Sequence, residues 1–389
     1  MQNLTDEQGD IVEAGCARKH LVVEAGAGCG KSATARALAK ALAGTNILNT
    51  AFNKALRDDQ PVLTPTGWRP IASLSVGDLI VGRDGKPHAV TTVRSCGVRP
   101  LYEVLFSDRT TVIADEGHPW VTQTITYDAR NNAWRVRTTQ EIAATVHQKH
   151  RVPHLASPVE MPEADLPLHP YLLGALIGDG SLCNGNIRFT CVEPELVELM
   201  RSTLPAGHEL VSREEGAREW GIVSSLRGRG RNEVLNAIRA LGLHGHGCST
   251  KFVPTDYLFA SASQRLALLQ GLMDTDGCAS GPRSIFVTTS KQLAEDVTFL
   301  SQSLGGVASI RHVPGDKNFD AYYVNVRLAV SLCPFRLSRK ISGWRPRTRD
   351  QQTPRKIIEA RTVTPAKATC IGIDADNHLF LAAGCIPTG

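Results

Sequence analysis

The pattern of apolar and polar positions changes character along the chain. Residues 20–42, HLVVEAGAGCGKSATARALAKAL, run from a short apolar stretch through a Gly-rich turn into an Ala/Leu-rich segment of helical period. Residues 58–93 instead alternate apolar and polar residues between the turn signals PTG, VGD and RDG, which predicts short strands of a β-rich domain. Two later stretches, YLLGALIGDGSL (171–182) and ALLQGLMDTDGCASG (267–281), read as apolar helices, each ending in an acidic residue and glycine. Together these predict an α+β multidomain chain, in which a partial α/β segment is followed by a β-rich part and then by a part built on two apolar helices.

Composition narrows the classes. The 389 residues allow two or three domains and sizeable cores. No window approaches the roughly 18–20 unbroken apolar residues of a membrane span. The polar, acidic start MQNLTDEQGD argues against a signal peptide. The ten cysteines form no CxxC pairs, so reduced thiols in a cytoplasmic setting, bacterial or phage-encoded, are expected. A net charge of +5 is too mild to argue nucleic-acid binding alone, but arginines gather at Arg227, Arg229 and Arg231 and again from Arg336 to Arg349.

In the first segment, Gly26, Gly28 and Gly30 would let backbone N–H groups close on phosphate oxygens. Lys31 would place a charge on the terminal phosphates, and Ser32 a magnesium ligand at a helix N-terminus. Ala25 replaces the first glycine of the strict P-loop. The variant AGAGCGKS resembles superfamily 1 helicases of the UvrD-like kind. LTDEQGDIVEAG resembles their adenine-reading motif, pointing to Gln8, and NILNTAFNK the strand of their next motif. About 54 residues are too few for a helicase core, since chains below roughly 40–60 residues scarcely bury enough surface to fold. No Walker B strand, arginine finger or second core domain follows. The resemblance therefore implies an interrupted helicase, with ATP and magnesium serving the host only once the interruption is removed.

The interruption resembles inteins, the self-splicing Hint family. DDQPVLTPTGW and VGDLIV resemble the opening block, which places the first residue of the element at Ala55 and the junction at Lys54–Ala55, inside AFNK. Ala55 carries no nucleophile. In EGHPW, Trp120 lies two residues after His118, and in ATCIGIDADNHLFLAAG Cys370 stands where many inteins carry Asp. This combination resembles class 3 inteins. The resemblance implies that Cys370 attacks the Lys54 carbonyl directly, that His118 polarises this carbonyl or protonates the departing amine, and that Trp120 packs and positions. His378 would assist the C-terminal steps, and Cys385 reads as buried strand filler. The chain stops at Gly389, where such proteins carry a penultimate His before Asn. It is thus expected to form the Cys370 thioester and to shed residues 1–54 without completing splicing, its C-terminal helicase extein being absent.

The paired stretches at 171–182 and 267–281 resemble the LAGLIDADG motifs of homing endonucleases. Gly174, Ala175 and Gly271 would let two helices pack closely at a pseudo-twofold interface. The acids Asp179 and Asp276, about 97 residues apart, would then share one magnesium-binding site facing a scissile phosphate. The resemblance assigns Lys251, in STKFVP, as the active-site lysine. Double-stranded DNA is the expected partner, contacted by the arginine clusters, and the protein is expected to act as a monomer. Expected boundaries are 1–54 for the helicase segment, 55–156 and 352–389 for the two Hint parts, and 157–351 for the endonuclease. Rival readings are an ATP-binding helicase with an unusual insertion, a DNA-binding module with decayed catalysis, and a free-standing Hint processing domain.

Overall fold

The computed structural model describes residues 5–16, 34, 38, 41, 54–125, 128–129, 133–183, 185–212, 218–225, 232–281, 283–315, 320–329, 331–345 and 354–389. The strand–turn–helix expected over 20–42 lies almost wholly outside them. Before residue 54 the described helix is α1, Asp6–Cys16.

The first β-rich part is built of strands. They are β1 Ala55–Arg57, β2 Pro61–Thr64, β3 Gly67–Pro70, β4 Leu79–Val81, β5 Pro87–Phe106, β6 Thr111–Asp115, β7 Pro119–Thr124, β8 Arg135–Thr138 and β9 His150–Arg151. Between β8 and β9 runs the short helix α2, Thr139–Thr145. Its start is fixed by a reciprocal cap, in which the Thr138 side chain takes the Glu141 N–H and the Glu141 carboxylate takes the Thr138 N–H.

The insertion repeats one order of elements twice. The first copy is α3 Pro170–Asp179, β10 Gly180–Ser181, β11 Arg188–Thr190, α4 Pro194–Arg201, β12 His208–Ser212, β13 Glu219–Ser224 and α5 Glu233–Ala240. After the short α6, Thr255–Leu258, the second is α7 Ala262–Asp276, β14 Gly277–Ser280, β15 Arg283–Thr288, α8 Lys291–Ser303, β16 Val307–Val313, β17 Ala321–Arg327 and α9 Ser338–Gly343. Each copy makes a four-stranded antiparallel sheet, ordered β10-β11-β13-β12 and β14-β15-β17-β16. The same connectivity in both is the signature of an internal duplication with a pseudo-twofold relation. One face of each sheet packs on helices through Phe189, Leu210 and Ile222, or Phe286, Ala308, Val324 and Val326, all in one hydrophobic core.

The chain then returns to the first β-rich part with β18 Ile357–Ile373, β19 Phe380–Ala382 and β20 Ile386–Thr388. β18 pairs with both β1 and β5, and β6 pairs with both β1 and β5, so four strands close into a ring. β19 inserts between β20 and β2. Strands at the two ends of the sequence thus share one core of Leu56, Val104, Val112, Ala114, Trp120, Ile371 and Phe380. A smaller cluster of Leu63, Val81, Val159 and Leu381, with Trp68, Phe259 and Phe299 against it, joins this part to the insertion. No helix among the described residues is long and apolar enough to cross a membrane.

Candidate functional site

Two sites take shape, one in each part. In the β-rich part, Ala55 is paired directly with Cys370 across the β1–β18 ladder, and Leu56 with Ala114 across the β1–β6 ladder. Ala55 is fully buried and Cys370 half-buried. Burial pushes the Cys370 thiol up, while the Lys54 main chain beside it pulls back down. That same Lys54 main chain also lies against the ring of His118. The peptide preceding Ala55 is therefore held between a thiol and an imidazole.

His118 follows the tight turn after β6 and is fully buried. Burial is the larger influence and pushes its pKa down to about 3, against the opposing pull of the Lys54 backbone. The ring is neutral at physiological pH. Its Nε2 lies 2.5 Å from the Thr388 hydroxyl, and its Nδ1 has no hydrogen-bond partner among the described residues. Trp120 stands edge-on to it with centroids 5.1 Å apart and donates from Nε1 to the Thr139 hydroxyl at 3.0 Å, while the Thr139 backbone N–H reaches the His118 carbonyl. Trp120 thus packs against His118 and shares its complete burial.

His378 adopts a left-handed backbone (φ 53°), with Nδ1 3.3 Å from the Ile373 carbonyl. A cavity of about 440 Å³ is lined by Lys54, Gly117, Pro119, Asn377, His378 and Gly389. Lys54 and Gly389 thus line one space. Cys385 is buried as expected, but it lies in a 3-10 turn at φ 54° rather than in a strand. Arg265, Asp108 and Arg355 surround its thiol, which burial pushes up to about 12. Thr388, the partner of His118, was missed in the sequence because nothing local marks a threonine as meeting a residue 270 positions away.

In the insertion, α3 and α7 cross at their glycines. A Cβ on Gly174 would lie 2.2 Å from the Leu268 carbonyl oxygen, and one on Gly271 2.2 Å from that of Tyr171. Each helix ends on its acid, with Gly180 and Gly277 continuing in extended backbone rather than the left-handed cap such glycines usually form. Asp179 and Asp276 are brought together. Burial first, and then the charge of Asp179, raise Asp276 to about 6, and burial raises Asp179 as well. Asp274 is spent structurally, accepting from the Tyr171 hydroxyl at 2.9 Å and from the N–H groups of Arg336 and Leu337.

Lys251 is buried and donates to the Gly178 and Gly180 carbonyls at 2.8 Å each, at the end of α3. Lys340, absent from the sequence reading, does the same for α7. It reaches the carbonyls of Met273, Asp274 and Gly277 at 2.9, 2.6 and 2.6 Å. Each lysine closes its own repeat, and this equivalence was the signal available. Burial lowers the pKa of both lysines, against the opposing charges of Asp276 and Asp179 at Lys251 and of Asp274 and Asp179 at Lys340. Two adjacent carboxylates with raised pKa form a hard-oxygen donor set suited to a divalent cation, whose charge would offset their repulsion. Among the described residues no group of three or more His, Cys, Asp or Glu converges as a metal cage.

Two of the clustered arginines have partners within the fold. Arg336 stacks over the Tyr171 ring at 4.6 Å and donates to Gln270, and Arg339 pairs with Glu193. These two are engaged within the fold, Arg339 from an exposed position. Arg227, Arg229, Arg231, Arg347 and Arg349 lie outside the described residues. Arg283, Arg311 and Arg327 instead alternate with the buried positions of the second sheet and so point to its open face. Of the nucleotide-site residues, Gly28, Gly30, Lys31 and Ser32 lie outside the described residues. Gln8 serves its own helix, accepting the Thr5 N–H at 3.1 Å while its N–H meets the Thr5 hydroxyl.

Residues 263–337 match the family described as LAGLIDADG-like domain. Over 363 residues the chain is 31% identical to the replicative DNA helicase DnaB of Mycobacterium intracellulare, an alignment covering 86% of this chain and 58% of that protein. The chain thus spans somewhat over half of this curated relative. A crystal structure of the MchDnaB-1 intein is 34% identical over 25% of this chain and 67% of its own, with a TM-score of 0.21. The homing endonuclease I-DmoI, solved with DNA and Ca, is 16% identical over 42% of this chain and 83% of its own, with a TM-score of 0.30. Likenesses to an intein, to a LAGLIDADG-like domain and to a replicative helicase thus fall on one chain.

Proposed function

We propose that residues 55–156 and 352–389 form a class 3-type splicing domain that breaks the Lys54–Ala55 peptide by direct attack of Cys370. The observation that carries this is the Ala55–Cys370 pairing, with the Lys54 main chain against both the thiol and His118. Ala55 offers no nucleophile of its own. The Cys370 sulfur attacks the Lys54 carbonyl carbon, and neutral His118 donates from its unpartnered Nδ1 to the developing oxyanion. Such prepositioning supplies roughly 7–11 kcal/mol in favourable intramolecular cases. Trp120 holds His118 in register, and His378 serves the C-terminal step from the shared cavity. The host segment, residues 1–54, is read as superfamily 1-like.

The insertion, residues 157–351, is read as a magnesium-dependent endonuclease acting on double-stranded DNA as a monomer. Asp179 and Asp276 would hold the cation, which when bound neutralises charge at the scissile phosphate. Lys251 and Lys340 set the helix ends that carry both acids. The open sheet faces, with Arg283 and Arg311, would lie along the duplex.

Intact mass of the purified chain, with and without a small thiol, tests the splicing reading. Thiol-dependent release of residues 1–54 that disappears in Cys370→Ala supports it, and release that survives that substitution defeats it. Nicking of supercoiled plasmid libraries with Mg²⁺, lost in Asp179→Asn and Asp276→Asn, tests the endonuclease. Nicking that both variants retain would defeat that assignment.

A further inference from the structure

The turn from Ala383 to Cys385 has a backbone that its own residues do not favour. Cys385 sits at φ 54°, in the left-handed region, directly after Gly384 at φ 65°. A non-glycine residue keeps that conformation only where its surroundings hold it. Arg355, just ahead of β18, donates from Nη1 to the Gly384 carbonyl. Its Nε stands 3.1 Å from Oδ2 of Asp108, in the turn between β5 and β6, and both side chains are almost completely buried. A buried ion pair is tolerated when its remaining polar atoms are also met. Asp108 takes the Thr110 N–H at 3.1 Å on Oδ1 and the side-chain amide of Gln302 at 3.4 Å on Oδ2.

Gln302 belongs to the insertion. It is buried in the last turn of α8. Beside it, the Ser303 hydroxyl accepts from Arg265 of α7, and the Ser303 carbonyl accepts the Val159 N–H at 2.8 Å. Arg265 is fully buried and brings its charge to the Cys385 thiol. Phe259 and Phe299 pack against the same small cluster that holds Cys385 and Leu381. The end of α8 thus forms a wall of the Ala383–Cys385 turn.

That turn leads straight to His118. Thr388, the last residue of β20, pairs with Phe380 of β19. Its hydroxyl is 2.5 Å from Nε2 of His118, and both side chains are fully buried. A neutral imidazole carries one N–H, and the bond made by one nitrogen decides which of the two has it. A hydroxyl donating to Nε2 leaves the hydrogen on Nδ1, the nitrogen without a partner among the described residues, while the Lys54 main chain lies against the ring.

We propose that the insertion is a working part of the splicing site: the end of α8, through Gln302, Asp108 and Arg355, holds the Ala383–Cys385 turn so that Thr388 fixes His118 as its Nδ1–H tautomer. This role rests on the direct-attack reading above, in which Nδ1 donates to the oxyanion. The other tautomer would turn a lone pair toward the developing negative charge and could not stabilise it. Thr388 and Gln302 are positioning residues, acting through His118.

The test uses the whole chain and two readouts. One is the rate at which hydroxylamine releases residues 1–54, followed by intact mass. The other is the pair of His118 ring nitrogen shifts in ¹⁵N-histidine-labelled protein, which report the tautomer whether or not the peptide breaks. Wild type should be Nδ1–H. Thr388→Val should mix the tautomers and slow release about 10²-fold, and Thr388→Ser should restore both. Gln302→Met, close in shape, should slow release about 10-fold alone and no further in the Thr388→Val background, because both act through one contact. Glu295→Gln, exposed on the same helix, is the control and should change neither readout. Gln302→Met with wild-type rate and tautomer would overturn the proposal. So would effects of Gln302→Met and Thr388→Val that multiply, which would show a structural role only, or a wild-type His118 found as Nε2–H. Should Gln302→Met fail to fold, Arg355→Lys, which keeps the charge but withdraws the reach to Gly384, carries the same expectation and the same refutation. Wild type that releases nothing with hydroxylamine would sink the direct-attack reading, and the ring shifts of these variants would still decide the positioning.

Discussion

Replacing Gly271 by alanine adds one methyl group at the α3–α7 crossing. That carbon would lie 2.2 Å from the Tyr171 oxygen, 2.8 Å from the Ala175 nitrogen and 3.1 Å from the Gly174 carbonyl carbon. All three are backbone atoms and none can swing aside. Comfortable heavy-atom separation is roughly 3.5 Å, so the helices must part by about 1 Å. Overpacking costs roughly 1–3 kcal/mol, and rigid neighbours put this case near the upper end. Alanine's better helix propensity returns about 1 kcal/mol. The net of about 2 kcal/mol corresponds to roughly 4–8 °C in the unfolding of a domain of this size. Asp179 and Asp276 terminate the two helices, so the same displacement moves the carboxylates apart, and a misplacement of about 1 Å can cost about 10²-fold in rate. Calorimetry with a Mg²⁺-dependent nicking assay reads both effects. Gly185→Ala, with nothing within 4 Å of the added carbon, is the control. Unchanged melting and nicking in Gly271→Ala would refute the close-packed interface.

Lys340→Met should strip donors from the Met273, Asp274 and Gly277 carbonyls. The Met273 carbonyl keeps the Gly277 N–H, so at about 1–3 kcal/mol for each of the other two buried acceptors the insertion should lose at least about 2 kcal/mol in denaturant titration. Protonation of Asp276, raised to about 6 in the metal-free protein, competes with the cation, so the Mg²⁺ concentration needed for nicking should rise as pH falls below about 6, and a requirement unchanged from pH 8 to 5 would contradict its role. His118 is held neutral with a pKa near 3, while in the unfolded chain it titrates near 6.5. The unfolded state therefore takes up its proton first, so the contribution present above pH 6.5 is withdrawn as pH falls toward 3, about 5 kcal/mol in all. His118→Asn should flatten that part of the stability–pH curve.

Much of this was legible in residue patterns. Ala55, His118, Trp120 and Cys370 could be picked out because together they resemble class 3 inteins, while each alone would read as a structural residue. The paired apolar helices announced both glycine contacts and both acids, since a 3.6-residue period fixes which side chains share a helix end. What escaped depends on register between distant strands. Thr388 meets His118 only because β20 and β6 come to lie where they do, and local sequence carries no trace of that. Lys340 escaped for a milder reason, its equivalence to Lys251 being visible only once the duplication is seen whole. Arg336 and Arg339 read as free charge in the sequence, while in the fold one lies on an aromatic face and one on a carboxylate.

The central claim is that the Lys54 acyl group passes to Cys370 with no participation by residue 55. Direct attack leaves the mass of the chain unchanged and gives it two N-termini, Met1 and Ala55, within one covalent species. N-terminal labelling of the intact chain, purified under mildly acidic conditions that preserve thioesters, reads this directly. Two labels on a species of unaltered mass, collapsing to one in Cys370→Ala, is the expected result. A single label at Met1 under all conditions, or an Ala55 label that persists in Cys370→Ala, would contradict it.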